Sequence, residues 1–271
     1  MQNLSDSLLI SQINMAGTHD SGADYGCQFA FSRYAKCQDW SIAEQLTKGI
    51  RFLDIRCRPM PDGFDIHHGM CYQRQNFDDV LTACQQFLEK NPSECILMRL
   101  KSEHKTHKKA KSFADIFKNY EQKYQNLRWY QKKEMPLLSQ VRGKIVLLDD
   151  ANLQKGIRFT NAKHQDDYYV TSVEKKWTAI QEHLERAKND TQTHFLYLNS
   201  ASGTGLNAEF STLTKAFFRK VYTPQNIAQK IMPRLEAYFA AIKTQNKAQY
   251  GVLIMDFPTE KVIQLIIEKN F

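Results

Sequence analysis

Two histidines, one arginine and a small set of carboxylates carry the chemistry this sequence offers. His19 stands in Ala16-Gly17-Thr18-His19-Asp20-Ser21-Gly22, Arg56 closes Asp54-Ile55-Arg56, and His68 lies in Ile66-His67-His68-Gly69. Further along come Lys101-Ser102-Glu103, Asp149-Asp150, Gln165-Asp166-Asp167-Tyr168 and Asp256. Cleaving a phosphodiester through a neighbouring hydroxyl needs a base for that hydroxyl and an acid for the leaving oxygen. Two histidines supply both near neutral pH. A carboxylate beside a histidine fixes its tautomer and stabilises the imidazolium. Arginine presents a planar fork to the non-bridging oxygens. A metal ion in the arginine's place would call for more acidic ligands around it.

Most of these groups end a short apolar run. The runs are Ile13 to Gly17, Phe52 to Cys57, Phe64 to His67, Cys95 to Lys101, Lys144 to Asp149, Tyr168 to Thr171, Phe195 to Asn199 and Gly251 to Asp256. Their continuous apolar character is that of buried parallel strands. Helical patterns fall between many of them. One opens at Asp39-Trp40-Ser41 and ends before Gly49, and others cover Phe77 to Lys90, Ser112 to Tyr124, Ser172 to Lys188, Pro224 to Lys243 and Pro258 to Lys269. Strands alternating with helices predict an α/β fold with a parallel sheet. Roughly eight strands in a chain of this length predict a (β/α)8 TIM barrel, whose sites lie at the carboxyl ends of the strands.

Two links do not fit an ideal barrel. Arg58 to Gly63 is too short for a packed helix, and Asp150 to Asp167 has no helical period. The expectation is therefore a distorted barrel with some helices missing, one catalytic domain over residues 1–271. A doubly wound open sheet is the alternative, and it also puts ligands at strand carboxyl ends.

The net charge of +8 favours an anionic partner, such as an anionic membrane, a phosphorylated substrate or nucleic acid. Nucleic acid has only the charge in its favour, without a recognisable motif. The basic run His104 to Lys111 reads as a solvated loop. No apolar run is long enough to span a membrane, and Met1 to Ile13 lacks the features of a secretory signal. None of the six cysteines forms a CxxC pair. Cys57, Cys84 and Cys95 read as buried free thiols. Cys27 and Cys37 flank a loop and could pair with each other, although reduced thiols are favoured.

Taken in order, the segments around His19, Arg51 to Arg56 and Ile66 to Gly69 resemble the X domain of bacterial phosphatidylinositol-specific phospholipases C. So do Phe87 to Glu94 leading to Leu100-Lys101, Arg142 to Leu148, and Val252 to Asp256. The resemblance implies a distorted barrel and a metal-independent lyase reaction with no cofactor, cleaving phosphatidylinositol to diacylglycerol and a cyclic inositol phosphate. His19 resembles the general base, oriented by Asp256. His68 resembles the general acid, assisted by Asp20. Arg56 resembles the phosphate-binding arginine, and an acidic residue stands there in the calcium-dependent relatives. Lys101, Asp166 and Tyr168 resemble inositol-contacting groups.

There is one departure. The Bacillus-type members carry a basic pair, including an inositol-binding arginine, where this chain has Asp149-Asp150. Two carboxylates there would disfavour a head group carrying extra phosphates, and strand alternation lets only one of them face the pocket. Asp54 reads as a partner of Arg56, and His67 as structural, on the face opposite His68. Phe210, Phe217, Phe218 and Tyr222, around Lys215, Arg219 and Lys220, are expected to form an aromatic-cationic rim at the lipid interface. Phe29, Phe31, Tyr34 and Trp40 are candidates for the opposite lip. The implied partner is phosphatidylinositol in an anionic membrane surface, with no obligate protein partner, and the expected location is outside the cell at membrane surfaces, with the cytoplasm as the alternative. The rival functions are a phosphodiesterase on another lipid head group and a catalytically silent lipid-binding module.

Overall fold

The computed structural model describes residues 1–27, 32–205, 222–242 and 248–271. The apolar runs form strands β1 (Met15–Thr18), β2 (Phe52–Met60), β3 (Gly63–His68), β4 (Cys71–Asn76), β5 (Ile96–Ser102), β6 (Trp129–Tyr130), β7 (Ile145–Asp150), β8 (Ile157–Arg158), β9 (Lys163–Gln165), β10 (Tyr197–Ser200) and β11 (Val252–Met255). The helices are α1 (Ser32–Ala35), α2 (Ile42–Thr47), α3 (Phe77–Lys90), α4 (Phe113–Lys123), α5 (Leu138–Val141), α6 (Val173–Asn189), α7 (Pro224–Ala241) and α8 (Glu260–Glu268). Polar side chains start them as expected: Ser41, Ser112, Ser172, Thr223 and Thr259 each accept a first-turn N–H. Gly49, at φ 104°, closes α2. No helix among the described residues is long and apolar enough to cross a membrane.

The sheet runs β6-β7-β5-β2-β1-β11-β10-β9, all parallel, with β8 beside β7. It curls into the distorted barrel that the sequence predicts. No strand pairing joins β8 to β9 among the described residues, so the barrel is open there. The link from Asp150 to Asp167 supplies β8, a single 3-10 turn and β9 in place of a helix.

Two sequence expectations are corrected. The run from Phe64 is not a parallel barrel strand. β2 continues to Met60, turns at Pro61-Asp62-Gly63, and returns as β3, antiparallel, with β4 completing a hairpin. Proline presets one turn residue and Gly63 takes φ 154°, so a tight turn replaces a crossover. Tyr168 to Thr171 is not a strand either. It makes one isolated bridge, Tyr169 to Thr204, and the sheet edge is β9 instead.

Strand alternation sorts the core. Leu53, Ile55, Met98, Leu100, Ile145, Leu147, Leu253 and Met255 face outward under the helices, in one apolar cluster. Met15, Phe52, Leu97, Val146, Leu148, Leu198, Val252 and Ile254 fill the barrel interior in a second. Continuing each interior series toward the carboxyl end reaches His19, Asp54, Arg56, Arg99, Lys101, Asp150 and Asp256. The apolar plug and the polar site therefore lie on the same inner face at successive levels. Gly17 lies in the plug level because a Cβ there would come within 2.8 Å of Phe52.

The sulfur chemistry also differs from expectation. Cys27 pairs with Cys71, not Cys37, across 44 residues. Gln73 of β4 accepts from the Gly26 N–H at 3.0 Å and donates to the Gly26 carbonyl at 2.8 Å, so the loop lies along the hairpin and brings the sulfurs together. Cys37, Cys57, Cys84 and Cys95 are buried free thiols.

Candidate active site

The turn after β1 is built to present His19. Asp54 Oδ2 accepts from the Asp20 N–H at 3.0 Å, Ser21 Oγ accepts from the Asp54 N–H at 2.8 Å, and Gln38 holds the His19 carbonyl at 2.7 Å. Asp20 at φ 40° and Phe257 at φ 43° are left-handed without being glycine. Such strain persists where surrounding structure over-determines it, as at active sites.

His19 is pinned at both ring nitrogens. Nδ1 lies 2.9 Å from Asp256 Oδ1, and Nε2 lies 2.7 Å from an Arg56 terminal nitrogen. Arginine has no acceptor, so Nε2 bears the lone pair and Nδ1–H donates to Asp256. A neutral imidazole with its lone pair on Nε2 is the form a general base requires. Asp256 is itself 1 % exposed and accepts from the Gly203 N–H at 3.2 Å.

His68 stands opposite, its ring centroid 6.0 Å from that of His19 and perpendicular to it. Its Nδ1 donates to the Ala35 carbonyl at 2.9 Å. The Nδ1 proton is thus committed, and a second proton on Nε2 would be the one available to a leaving group. Asp20 Oδ2 lies 3.7 Å from His68 Nδ1 and 3.6 Å from Arg56, where a carboxylate stabilises an imidazolium. Among the described residues neither Asp20 oxygen has a hydrogen-bond partner. Burial raises the Asp20 pKa, and the charges of Arg56 and His68 work against that rise.

Arg56 is the hub. Its Nε and a terminal nitrogen reach Asp54 Oδ2 at 3.1 and 3.0 Å. Burial opposes its charge, but Asp54 and Asp20 outweigh burial and hold the guanidinium well above its ordinary value. Burial likewise opposes the Asp54 charge, yet Arg56 and Arg99 win and keep its carboxyl far below the usual carboxylate range. The pairing of Asp54 with Arg56 matches the alternation reading. His67 is buried, faces His104 in a ring stack, and has its pKa lowered to about 4 by burial, in keeping with a structural role.

The remaining predicted groups spread around this centre. Lys101 Nζ pairs with Glu103 at 3.0 Å, and Glu103 accepts from the Gly69 N–H at 3.2 Å beside His68. The Tyr168 ring centroid lies 5.2 Å from His19 and covers it. Burial, then the neighbouring Cys37 and Asp256, raises its phenol well above the usual value. Asp166 is exposed beyond β9 and has no hydrogen bond or ion pair to either histidine. Phe210, Phe217 and Phe218 of the expected rim, with Phe29 and Phe31 of the opposite lip, lie outside the described residues. Tyr222 is half-buried, with the Lys230 ammonium 5.0 Å over its ring. Tyr34 and Trp40 are half-buried.

The acidic pair splits between the two faces of its strand, as alternation requires. Asp149 faces away from the barrel interior and accepts the Ala151, Leu153 and Gln154 N–H groups at 2.9–3.0 Å, so it folds its own loop. Asp150 faces inward but is bound by Arg99 at 2.6 Å. Arg99 also approaches Asp54 at 3.3 Å and lies 3.9 Å over the Phe159 ring. The head-group region therefore meets a neutralised pair and not two free charges.

Sequence reasoning missed Arg99, Cys37 and Lys176 as members of this neighbourhood. Strand parity placed Arg99 with Arg56 and would have found it. Cys37 sits in a loop and Lys176 on a helix, where no periodicity points to the site. Lys176 is fully buried and donates to the Asp167 carbonyl at 2.8 Å, tying down the segment that carries Tyr168. Met70 and Tyr169, adjacent to the His68 turn and to Tyr168, are exposed large apolar side chains near the mouth.

Fold and site together define a class, a barrel enzyme of phosphodiester cleavage. Comparison with known proteins narrows it. Residues 25–150 match the phosphatidylinositol-specific phospholipase C X domain. The 1-phosphatidylinositol phosphodiesterase of Listeria monocytogenes serovar 1/2a is 31% identical over 288 residues, covering 100% of this chain and 84% of that protein. The Staphylococcus aureus (strain Newman) protein of the same name is 30% identical over 305 residues, covering 100% of this chain and 93% of its own. The solved phosphatidylinositol-specific phospholipase C from Listeria monocytogenes superimposes with a TM-score of 0.83 at 28% identity, covering 100% and 97% of the two chains. This chain belongs to the bacterial phosphatidylinositol-specific phospholipase C family.

Proposed function

We propose that the protein cleaves phosphatidylinositol to diacylglycerol and inositol 1,2-cyclic phosphate by acid–base catalysis between His19 and His68. The observation that carries this reading is the fixed tautomer of His19, held between Arg56 and Asp256 with His68 across the gap. His19 Nε2 takes the proton of the inositol 2-hydroxyl, whose oxygen attacks phosphorus. Arg56 turns its fork from His19 to the non-bridging oxygens. His68, as the imidazolium steadied by Asp20, returns a proton from Nε2 to the diacylglycerol oxygen as that bond breaks. Asp256 holds His19 while it is charged. Lys101, Glu103, Tyr168 and Asp166 surround the inositol ring.

The reaction takes place at a membrane surface. The solved Staphylococcus aureus relative, 27% identical at a TM-score of 0.83, was studied for its membrane binding. Here the net charge of +8 and exposed Met70 and Tyr169 support docking on an anionic bilayer. The Cys27–Cys71 bridge supports an oxidising location outside the cytoplasm.

The test is release of cyclic inositol phosphate from phosphatidylinositol vesicles in excess chelator. Activity should persist, and His19→Ala and His68→Ala should each lose at least ~10²–10⁴-fold. Loss of activity with chelator, restored by calcium, would overturn the arginine-based reading.

A further inference from the structure

Cys37 is a free thiol inside the catalytic centre. A ligand atom from each of His19, Cys37 and Asp256 lies within 4.8 Å of the other two, and all three residues are buried. Cys37 Sγ is also 3.7 Å from His68 Nδ1. Its backbone is fixed on both sides. The Cys37 N–H donates to the Ala23 carbonyl at 2.8 Å, and the Cys37 carbonyl accepts from the Phe257 N–H, next to Asp256, at 2.9 Å. The thiol is therefore held against the His19–Asp256 pair by the fold, and the acid–base reaction has no use for it.

We propose that His19, Cys37 and Asp256 form an inhibitory site for a thiophilic divalent cation of the zinc type. The donor set is one thiolate, one imidazole and one carboxylate, which suits zinc and its soft neighbours. Calcium and magnesium take oxygen ligands, and among the described residues no cluster of carboxylates offers them a site. Zinc binds sulfur at about 2.3 Å and nitrogen or oxygen at about 2.0–2.2 Å, so the donors need to close in by about an ångström. The thiol proton leaves to solvent as the cation binds, because the ion's own charge favours the thiolate, and the single ring proton of neutral His19 ends on the nitrogen that the cation does not take. Arg56 does not make the surroundings strongly positive, since Asp54 and Asp20 already balance it. Three protein donors leave the fourth tetrahedral position of such a cation to water.

Occupation claims Asp256 and one nitrogen of His19 together. His19 then cannot take a proton and hold it against Asp256. The enzyme is thereby switched off by a metal although its reaction uses none, and a chelator restores it. The inhibition rests on the two-histidine reading above, whereas metal binding itself does not.

The experiment titrates the whole protein with buffered zinc, and separately with cobalt or cadmium, whose thiolate complexes absorb in the ultraviolet. The wild type should develop the thiolate band to one equivalent and lose activity with the same midpoint, reversibly with chelator. Cys37→Ser, measured against its own metal-free rate, should lack the band and need at least ~10-fold more zinc for half-inhibition. Cys37→Ala serves the same purpose if the serine variant does not fold. Calcium and magnesium should leave both readouts unchanged. A band that survives in the Cys37 variants, or equal zinc sensitivity with and without the thiol, overturns the proposal. A Cys37-dependent band without inhibition supports the binding site and refutes its inhibitory role, and with it the part assigned to His19.

Discussion

Replacing Asp256 by Asn tests whether the His19 tautomer drives the reaction. Two donors converge on this carboxylate, His19 Nδ1–H at 2.9 Å and the Gly203 N–H at 3.2 Å. An amide has only one acceptor oxygen, so it cannot serve both. If that oxygen turns to Gly203, the amide nitrogen faces His19 and forces the other tautomer. Nε2 then carries a proton, opposite Arg56, and can no longer act as base. If the oxygen stays on His19, the Gly203 N–H is left buried without a partner. In both cases the imidazolium formed during the reaction loses a buried negative charge. At roughly 4 Å and an effective dielectric constant of about 20, that charge contributes about 4 kcal/mol. The neighbouring Arg56 trims the benefit, and about 3–4 kcal/mol corresponds to roughly 10²–10³-fold in kcat. The assay is initial rate of cyclic inositol phosphate release, with kcat and KM separated and thermal unfolding recorded as a check on the fold. Nitrogen NMR of the His19 ring should report a changed protonation pattern. A folded variant with near-wild-type kcat would refute the argument, because the base would then not depend on Asp256.

Two further outcomes follow from buried groups away from the reaction itself. Removing the Cys27–Cys71 bridge by Cys27→Ser with Cys71→Ser, which frees a 44-residue span, should cost about 2–4 kcal/mol. Urea unfolding should shift by this amount, and a reductant should destabilise only the wild type; an unchanged midpoint would count against a stabilising bridge. Burial lowers the Lys176 pKa from 10.5 to about 8, so between these values the unfolded chain binds more protons than the folded one. The contribution of Lys176 to stability therefore rises with pH across that window and is least favourable below it. Lys176→Met should flatten the difference between unfolding free energies at the two ends of the window by about 2–3 kcal/mol. Parallel pH dependences in the two proteins would place the lysine in water.

The sequence by itself determined the inner face of the barrel. Period-two alternation along β2 puts Phe52, Asp54 and Arg56 on one side, and along β5 it does the same for Leu97, Arg99 and Lys101. Both the apolar plug and the polar level above it are therefore legible from residue type and parity. The caps at Ser41, Ser112, Ser172, Thr223 and Thr259 are equally local, as they involve residues within one turn.

Tertiary structure decided whatever depended on partners far apart in the chain. The His19 tautomer needs Asp256, 237 residues away, and Arg56, 37 away. The Cys27–Cys71 pairing needs the loop to lie along β4, which spacing among six cysteines cannot reveal. Asp149 and Asp150 are adjacent and chemically alike. One folds a loop outside the sheet and the other meets Arg99 inside it, because the phase of β7 relative to β5 is a property of the assembled sheet. The hairpin of β3 and β4 is corrected for the same reason: a short apolar run records burial but not strand direction, and only the turn at Gly63 with its pairing to β2 fixes that. Cys37 enters the catalytic centre through a loop whose course is set by hydrogen bonds to Ala23 and Phe257, contacts with no period in the sequence.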